Sequence, residues 1–340
     1  MPDLKAAVIG CGGRARDHAR GYREIDGARL AAVCDVDRER ADRFAVEYEA
    51  KAYYDAEEML AAVRPEVVSI VTQAKDRAAL ALLCAKAGVR GICAEKPMAL
   101  TMAEAHAMVE ECQARGVVLT VSHQMRYDPA FEIAQQAISR GEIGEPYFLR
   151  GVCYGNLMEQ GTHLVDMLLW LAGDPEIEWV MAQAADFEGV AGSAHPAPMW
   201  TVGYLAFRNG MRATLEAGRR LRGVPSATIP WYNKRVEVLG TDGMSDSVVA
   251  GYCRILSGKA AGWQEHATGV AGWNAATGRF LADLCRVVAE GGEHRNHARI
   301  SLRSFEAIQA LAASVVNGGI VHLPLPRDAD PLGELARYGG

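Results

Sequence analysis

The stretch LKAAVIGCGGRA, residues 4–15, decides the fold of the first part of this chain. It begins as a short, mostly apolar run of strand character, becomes rich in glycine, and is followed by a helical segment at 17–24. Gly10 permits a tight turn, Gly12 lets a phosphate approach the backbone, and the small Ala15 allows the helix to pack on the strand. A strand, a glycine turn and a helix in this order indicate a dinucleotide site with its phosphates at the helix N-terminus.

An acid at the end of the next apolar segment strengthens this interpretation. The second predicted strand, 29–34, ends in Asp35, and an acid there accepts hydrogen bonds from the adenosine ribose hydroxyls. It also repels a 2′-phosphate, so the sequence favours NAD, with NADP still possible because Arg14 or Arg38 offers an offsetting charge. The alternative is that Asp35 caps the helix beginning near Asp37.

Strands and helices continue to alternate up to residue 121. We predict further helices at 57–63, 76–87 and 102–115, and further strands at 67–71, 89–94 and 117–121. Regular alternation predicts an α/β domain in which a doubly wound parallel sheet carries helices on both faces. The expected N-terminal domain is therefore a Rossmann domain covering residues 1–123.

The pattern changes after residue 123. Asn209-Gly210 lies between two alternating runs and predicts a hairpin, and Asp242-Gly243 marks another turn. We predict helices at 129–140, 162–171, 275–289 and 301–316, and strands at 146–154, 178–186, 201–207, 211–217 and 235–239. The second domain, 124–326, is expected to be α+β with a large, mostly antiparallel open sheet, whose uncovered face is a candidate dimerisation surface. The tail, 327–340, is predicted to be a loosely held loop.

Composition narrows the possible partners. A chain of 340 residues suggests two domains, and a formal net charge of −6 gives no basic excess for nucleic acid or an anionic membrane. A small-molecule ligand is expected instead. The eight cysteines form no C-x-x-C pair, and we see neither a secretory segment nor a membrane-crossing apolar run. We therefore expect a soluble, cytoplasmic protein with reduced thiols.

The segment GICAEKP, residues 91–97, is the first candidate for chemistry. An apolar run that resembles a buried strand is followed at once by Glu95, Lys96 and Pro97. In a parallel sheet the carboxyl end of such a strand opens into the ligand crevice, which makes Lys96 a candidate for catalysis. The alternative is that both charges are solvated and that the proline merely ends the strand.

A second candidate is the segment 159–170. If the helix already includes Glu159, this acid and His163 are i, i+4 neighbours, and a carboxylate beside an imidazole suits a general base. The alternative is that Thr162 caps the helix, His163 packs under the sheet and Asp166 is solvated. The paired His or Cys of a zinc site is missing, and His294 and His297 are predicted to lie in a solvated loop, so we predict no metal site.

Taken together, the segments 8–14, 94–100 and 159–166 resemble, in order and spacing, the glucose-fructose oxidoreductase, inositol dehydrogenase and MocA family of NAD(P)-dependent oxidoreductases. The resemblance implies that Lys96 contacts nicotinamide ribose and substrate, that the Lys96-Pro97 bond is often cis, and that His163 transfers the proton. It also implies a homodimer or homotetramer formed through the C-terminal sheet.

The resemblance assigns two sets of binding residues. Cofactor binding is expected at Gly10, Gly12, Gly13, Arg14, Asp35, Thr72, Gln73, Glu95 and Lys96. Substrate binding is expected at Lys96, Arg126, Asn156, Glu159 and His163. The sequence departs from the family pattern twice: Glu159 stands where the family usually has Asp, and the family's Thr-Pro-Asn-x-x-His reads Thr-Gln-Ala-Lys-Asp-Arg at 72–77.

The resulting hypothesis is an enzyme that acts on CH-OH groups. It would transfer a hydride between a secondary alcohol of a sugar, sugar derivative or cyclitol and NAD(P), with Lys96, His163 and Glu159 as catalytic residues. One alternative is a family variant that retains NAD and cleaves or eliminates a glycosidic bond by transient oxidation. Another is a nucleotide-binding sensor without catalysis. Aromatic residues such as Tyr154 and Trp231 suit a carbohydrate pocket and core packing equally.

Overall fold

A computed structural model describes residues 3–187, 197–221 and 229–338. The chain divides into two compact units, the first made of Met1–Gln124 with Ala275–Leu302 and the second of Met125–Asn274 with Arg303–Gly340. We expected the chain to change domain after residue 123 and to stay in the second domain up to 326. The structure instead groups a late segment with the N-terminal unit.

The first unit contains a six-stranded parallel sheet; the parallel arrangement was predicted, but the short strand at 51–53 was not. In the described residues its strands are β1 (Leu4–Ile9), β2 (Ala28–Cys34), β3 (Lys51–Tyr53), β4 (Val67–Ile70), β5 (Gly91–Ala94) and β6 (Val118–Val121). Their order is β3-β2-β1-β4-β5-β6. The strand order reverses between β1 and β4, and ligands of open parallel sheets bind at the carboxyl ends beside such a reversal.

Five helices connect these strands, and side-chain caps fix where three of them begin. They are α1 (Ala15–Glu24), α2 (Arg38–Tyr48), α3 (Ala56–Val63), α4 (Ala74–Lys86) and α5 (Met102–Ala114). Asp37 caps α2 and Asp55 caps α3, each by accepting a backbone N–H, and Thr101 forms a capping box with Glu104 at α5.

Close glycine contacts explain why the late segment belongs to the first unit. Two long helices, α8 (Gly269–Glu290) and α9 (Ala298–Asn317), contain the residues at which the chain changes unit. A Cβ on Gly21 would lie 3.2 Å from the Cα of Gly278, and a Cβ on Gly91 would lie 2.6 Å from Val288 Cγ2. The C-terminal part of α8 therefore packs directly on α1 and β5, a long-range contact that no local pattern reveals.

The second unit is built on a nine-stranded sheet. Its strands are β7 (Pro146–Cys153), β8 (Ile177–Ala185), β9 (Trp200–Phe207), β10 (Arg212–Gly218), β11 (Lys234–Gly240), β12 (Gly243–Val248), β13 (Tyr252–Ser257), β14 (Trp263–Ala267) and β15 (Val321–His322). The order is β14-β13-β12-β11-β7-β10-β9-β8-β15. Among these described strands β7 and β10 pair in parallel and the other neighbours pair antiparallel. The predicted hairpin at Asn209-Gly210 joins β9 to β10.

Helices cover one face of this sheet. They are α6 (Pro129–Ser139), α7 (Thr162–Leu171) and the C-terminal part of α9. A Cβ on Gly151 would lie 2.7 Å from Leu164 Cδ1, and one on Gly203 would lie 2.7 Å from Leu311 Cδ2, so glycines in the strands admit the helices. Within residues 3–187, 197–221 and 229–338, no helix combines the length and the hydropathy needed to cross a bilayer.

The prediction of a loose C-terminal loop was wrong. Residues Pro331–Tyr338 form helix α10, in which Leu332 and Leu335 are buried. Two leucines three residues apart lie on one face of a helix, and burying them stabilises a segment whose polar sequence resembles a loop. The four strands β12 to β15 were also not predicted, because short strands with mixed polarity carry little periodic signal.

Candidate functional site

The glycine turn after β1 has the geometry that a dinucleotide site needs. Gly10 has a φ of +92°, and a Cβ there would lie 2.8 Å from the carbonyl oxygen of Val71, so a larger residue does not fit. A Cβ on Gly12 or Gly13 would meet no atom within 4 Å. The turn is therefore tight at its start and open on the side where a pyrophosphate would approach the backbone.

Asp35 is fixed in place by this turn. It is only 7% exposed, and its Oδ2 accepts a 2.8 Å hydrogen bond from the backbone N–H of Cys11. Its Oδ1 accepts a second one, 2.9 Å long, from Asp37 N. The cap of α2 is Asp37 rather than Asp35, so the alternative capping role considered for Asp35 does not hold.

The cation nearest to Asp35 is one that the sequence analysis missed. Arg40 Nη1 lies 3.4 Å from Asp35 Oδ2, whereas the guanidinium of Arg38 lies over the ring of Tyr54 at 4.4 Å. Arg14 pairs with Glu95 instead. The i, i+5 separation of Asp35 and Arg40 crosses the start of a helix, and no simple spacing rule identifies such a pair.

A groove of about 590 Å³ lies beside the turn and is large enough for part of a dinucleotide. Its lining comes from the ends of β1, β2, β3 and β4 and includes Gly10, Gly12, Asp35, Tyr54, Thr72 and Gln73. Five of the predicted cofactor residues, all of these except Tyr54, thus line one groove. These groups fit a dinucleotide: they offer an open glycine backbone for phosphates and a fixed carboxylate for ribose hydroxyls.

Glu95, directly after β5, is a buried anion. It is 4% exposed, and its Oε1 accepts a 3.0 Å hydrogen bond from Arg14 Nε and lies 3.1 Å from His18 Nε2. Burial alone would raise the pKa of Glu95, but Arg14 and His18 hold that pKa well below its usual range. The charged groups of Glu95 and Arg14 face each other inside the unit, and contact of either residue with the cofactor stays a prediction.

Lys96 is anchored through the same carboxylate. Its backbone N–H donates to Glu95 Oε2 at 3.1 Å, and its bond to Pro97 is cis, as the resemblance implied. Arg77 fixes the segment from the other side by donating to the carbonyl oxygens of Pro97 and Thr72, the latter at 2.6 Å. Burial lowers the pKa of Arg77 to about 10, which leaves it charged near neutral pH. Arg77 occupies the position of the family's histidine.

In the second unit, the candidate base lies just after a π-helical turn, Leu157–Gly161. Asn156 Oδ1 accepts from Glu159 N at 2.8 Å and caps this turn, and His163 lies in the first turn of α7 and is 4% exposed. The i to i+5 backbone hydrogen bonding of a π turn rotates Glu159 relative to its position in the α-helix that the sequence predicted. Such π turns are frequent at functional sites. Both carboxylate oxygens of Glu159 accept from Arg219 Nη2 at 3.2 Å.

Arg126 is not placed as a substrate ligand. Its side chain is fully buried and pairs with Asp166, Nε to Oδ2 at 2.9 Å, and with Asp174, Nη2 to Oδ1 at 2.8 Å. Burial opposes this charge, but the two carboxylates raise the pKa of Arg126 above its ordinary value. The solvated role considered for Asp166 is equally wrong, since this acid is 0% exposed. The three residues form an ion cluster inside the second unit.

The loop with two histidines is partly buried rather than solvated. His294 is 1% exposed, its Nε2 lies 3.1 Å from Phe280 O, and its Nδ1 accepts from Asn296 N at 3.0 Å. Burial lowers the pKa of His294, so the imidazole is neutral near pH 7. His294 therefore uses both ring nitrogens to hold its own loop. Among the described residues no group of three His, Cys, Asp or Glu side chains could hold a metal ion.

These features define a Rossmann unit with a dinucleotide-type groove, and the comparisons with known proteins identify its family. Residues 4–123 match the GFO/IDH/MocA family model described as an oxidoreductase family with an NAD-binding Rossmann fold. Residues 154–245 match the model of the GFO/IDH/MocA C-terminal domain. The chain belongs to this family.

Two curated relatives and one solved structure are similar to this chain. The D-apiose dehydrogenase of Paraburkholderia graminis is 42% identical over 192 residues, which is 50% of this chain and 50% of that protein. The UDP-N-acetylglucosamine 3-dehydrogenase of Acidithiobacillus ferrooxidans is 31% identical over 65% of this chain and 69% of that protein. Levoglucosan dehydrogenase in complex with NADH and levoglucosan has a TM-score of 0.85 at 21% identity, covering 95% of this chain and 99% of that one. The chain thus aligns with about half the length of the first relative.

The ion cluster in the second unit leads to a stability prediction. Replacing Arg126 with Met leaves the buried carboxylate of Asp166 without its cation, which should cost about 3 to 5 kcal/mol of unfolding free energy. The measurement is urea unfolding of the purified protein. The matched control is Arg208→Ala, which breaks an exposed 3.3 Å pair with Glu176 and should change the free energy little. Equal stability of the two variants would contradict a stabilising role for the cluster.

Proposed function

We propose that this protein is an NAD-dependent dehydrogenase that acts on a secondary alcohol of a sugar, a sugar derivative or a cyclitol. The observation that carries the proposal is the placement of Lys96, two residues after the end of β5 and tied through Glu95 to the arginine of the glycine turn. Family membership, with its NAD-binding Rossmann unit, supports the reaction type. The two curated relatives named above, which act on sugars by their names, support the substrate class.

In the proposed reaction each residue has one role. Bound NAD would supply the acceptor for the hydride that leaves the alcohol carbon. Lys96 donates a hydrogen bond to the alcohol oxygen and stabilises it as the carbonyl forms, and His163 accepts the hydroxyl proton. Glu159 is proposed to orient this base, and its ion pair with Arg219 holds its charge in place.

The roles of Lys96 and His163 can be tested by substitution. Lys96→Ala or His163→Ala should lower kcat by about 10²- to 10⁴-fold, because general acid-base catalysis contributes that much. The assay follows absorbance of the reduced nicotinamide with a panel of sugars and cyclitols, and NADH affinity is measured separately by fluorescence titration. Lys86→Ala, at the end of α4, is the control and should behave like wild type. Full activity of both active-site variants on the best polyol would contradict these roles.

The proposed cofactor is NAD rather than NADP. The carboxylate of Asp35 is held by two backbone N–H groups, so it cannot turn away from a 2′-phosphate without losing both hydrogen bonds. Arg40, at 3.4 Å, offsets part of this repulsion and is the residue that would favour NADP if the acid were removed.

This preference predicts the effect of removing the acid. Asp35→Ser should raise the ratio of NADP to NAD catalytic efficiency about 10- to 100-fold, equivalent to about 1.4 to 2.7 kcal/mol of charge repulsion. Asp37→Ser is a matched control, because it removes an acid two residues away and keeps a residue type that caps α2 well. An equal change of the ratio in both variants would mean that general charge, rather than Asp35, sets the preference.

The substrate pocket is proposed to draw on aromatic side chains of the second unit. Tyr154 and Trp231 meet edge to face at 5.5 Å, and Tyr232 and Trp273 at 6.3 Å. Trp231 remains 44% exposed, so its ring is available to the apolar face of a sugar. Asn156 is 2% exposed, and its amide accepts from Glu159 N and donates to Ala197 O. We therefore propose that Asn156 shapes this site rather than binding the substrate directly.

We further propose that the protein is a homodimer or homotetramer formed through the open sheet face. On the side of the sheet opposite α7, Trp179 stacks on Tyr204 at 5.6 Å, Phe148 lies 6.4 Å from Tyr204, and Met181 is 46% exposed. We call these four residues the open-face cluster. Exposed apolar clusters of this kind mark protein interfaces.

The open-face cluster predicts how association can be weakened. Met181→Asp should raise the dissociation constant of the oligomer at least about tenfold, because it places a charge in the apolar centre of the interface. The molar mass is measured by light scattering after size exclusion at several protein concentrations. Val46→Asp is the control, since Val46 is 82% exposed on α2 of the other unit. A wild-type protein that is monomeric at every concentration would contradict the proposal itself.

The proposed compartment is the cytoplasm. All eight cysteines are buried free thiols, and burial raises the pKa of several of them, among them Cys253 to about 11. Neutral, inaccessible thiols of this kind are typical of proteins kept in a reducing compartment.

A further inference from the structure

Five polar side chains of the first unit, four of them buried, form a continuous hydrogen-bonded chain beneath the segment that carries Lys96. Tyr22 Oη lies 2.9 Å from Ser69 Oγ, and Ser69 Oγ lies 3.0 Å from His18 Nδ1. His18 Nε2 lies 3.1 Å from Glu95 Oε1, and Arg14 Nε donates to the same oxygen at 3.0 Å. His18, Tyr22 and Ser69 are each fully buried.

The chemistry of these groups fixes the direction of the chain. Glu95 is an anion and can only accept, so the Nε2 of His18 must carry the hydrogen that lies between them. In the neutral tautomer with its hydrogen on Nε2, Nδ1 is an acceptor, so Ser69 donates to His18 and Tyr22 donates to Ser69. In that tautomer all the hydrogen bonds point toward one carboxylate oxygen of Glu95.

Helix geometry explains why Arg14 and His18 both reach Oε1 of Glu95. Arg14 immediately precedes α1 and His18 follows four residues later, so their side chains emerge on the same side of the helix. Glu95 Oε1 is held by both donors, and its second oxygen, Oε2, is therefore directed at the backbone N–H of Lys96. The orientation of the carboxylate decides where this peptide lies.

We propose that His18 is a positioning residue for Lys96 and acts through Glu95. The inference rests on the proposed catalytic role of Lys96. His18 does not touch the substrate or the cofactor in this scheme. His18 fixes the rotamer of Glu95, so that Glu95 keeps its hydrogen bond from Lys96 N and its hydrogen bond from Arg14 at the same time. A residue with a merely structural role would affect stability without a specific effect on Lys96.

Three variants separate these roles. His18→Gln keeps an amide N–H near the position of Nε2, whereas His18→Asn ends near Nδ1 and leaves Glu95 Oε1 without that donor. His18→Asn should lower kcat about 10- to 100-fold, since misplacement by about 1 Å has costs of this size, and should change KM for NAD less than about threefold. His18→Gln should stay within about fivefold of wild type. Tyr22→Phe is the control, because it removes a hydroxyl from the same chain three hydrogen bonds away from Glu95.

A second readout does not depend on turnover. Lys96 is half-buried, and its rate of acylation by an amine-reactive reagent can be followed in the protein without cofactor by peptide mass spectrometry. His18→Asn should raise this rate at least about threefold, because the segment is less firmly held, and His18→Gln and Tyr22→Phe should not. NADH affinity from fluorescence titration should be similar in all four proteins.

The outcomes are distinguishable. Equal kcat values for wild type and His18→Asn, or equal losses in His18→Asn and Tyr22→Phe, would overturn the proposal. If no tested polyol supports the reduction of NAD by the wild-type protein, the proposed function fails. The acylation rates alone then decide whether His18 positions Lys96. Should His18→Asn not fold, Ser69→Ala takes its place, since it releases the other side of the ring. It should lower kcat about 3- to 10-fold with KM for NAD unchanged, and a value equal to that of Tyr22→Phe would overturn the proposal.

Discussion

The buried negative charge of Glu95 is the constraint on which the cofactor unit depends. A carboxylate at 4% exposure is compatible with folding only when cations or donors replace its water, and Arg14 and His18 supply both. Those residues belong to the glycine turn and to the helix that follows it. The same side chains that stabilise the charge therefore fix the turn against the segment after β5.

Arg77 adds a second link of the same kind. By donating to the carbonyl oxygens of Thr72 and Pro97, it joins the loop after β4 to the loop after β5. Because β1, β4 and β5 are neighbours in one parallel sheet, their carboxyl ends already lie at one edge. The side chains of Arg14 and Arg77 then hold the three loops at that edge together. Lys96 is thus carried by a segment that is braced from both sides.

The features that the sequence predicted correctly are those encoded by a few neighbouring residues. The glycine turn, the acid after β2 and the Glu95-Lys96-Pro97 segment each occupy a few consecutive residues, and parallel alternation places their loops at one edge. The positions of charged groups were less accessible to such reasoning. The family resemblance placed Arg126 among the substrate residues, yet its partners, Asp166 and Asp174, are 40 and 48 residues away. Packing of Gly21 against Gly278 is longer in range still.

The two departures from the family pattern have a common physical explanation. Glu159 is one methylene longer than the usual Asp, and its carboxylate meets Arg219, which lies just after β10. Arg77 replaces a histidine and uses its fork of donors on two carbonyl oxygens at once, which an imidazole cannot do in that arrangement. In both cases the new side chain is integrated into contacts within its own unit. Substitutions that acquire partners in this way preserve a braced site.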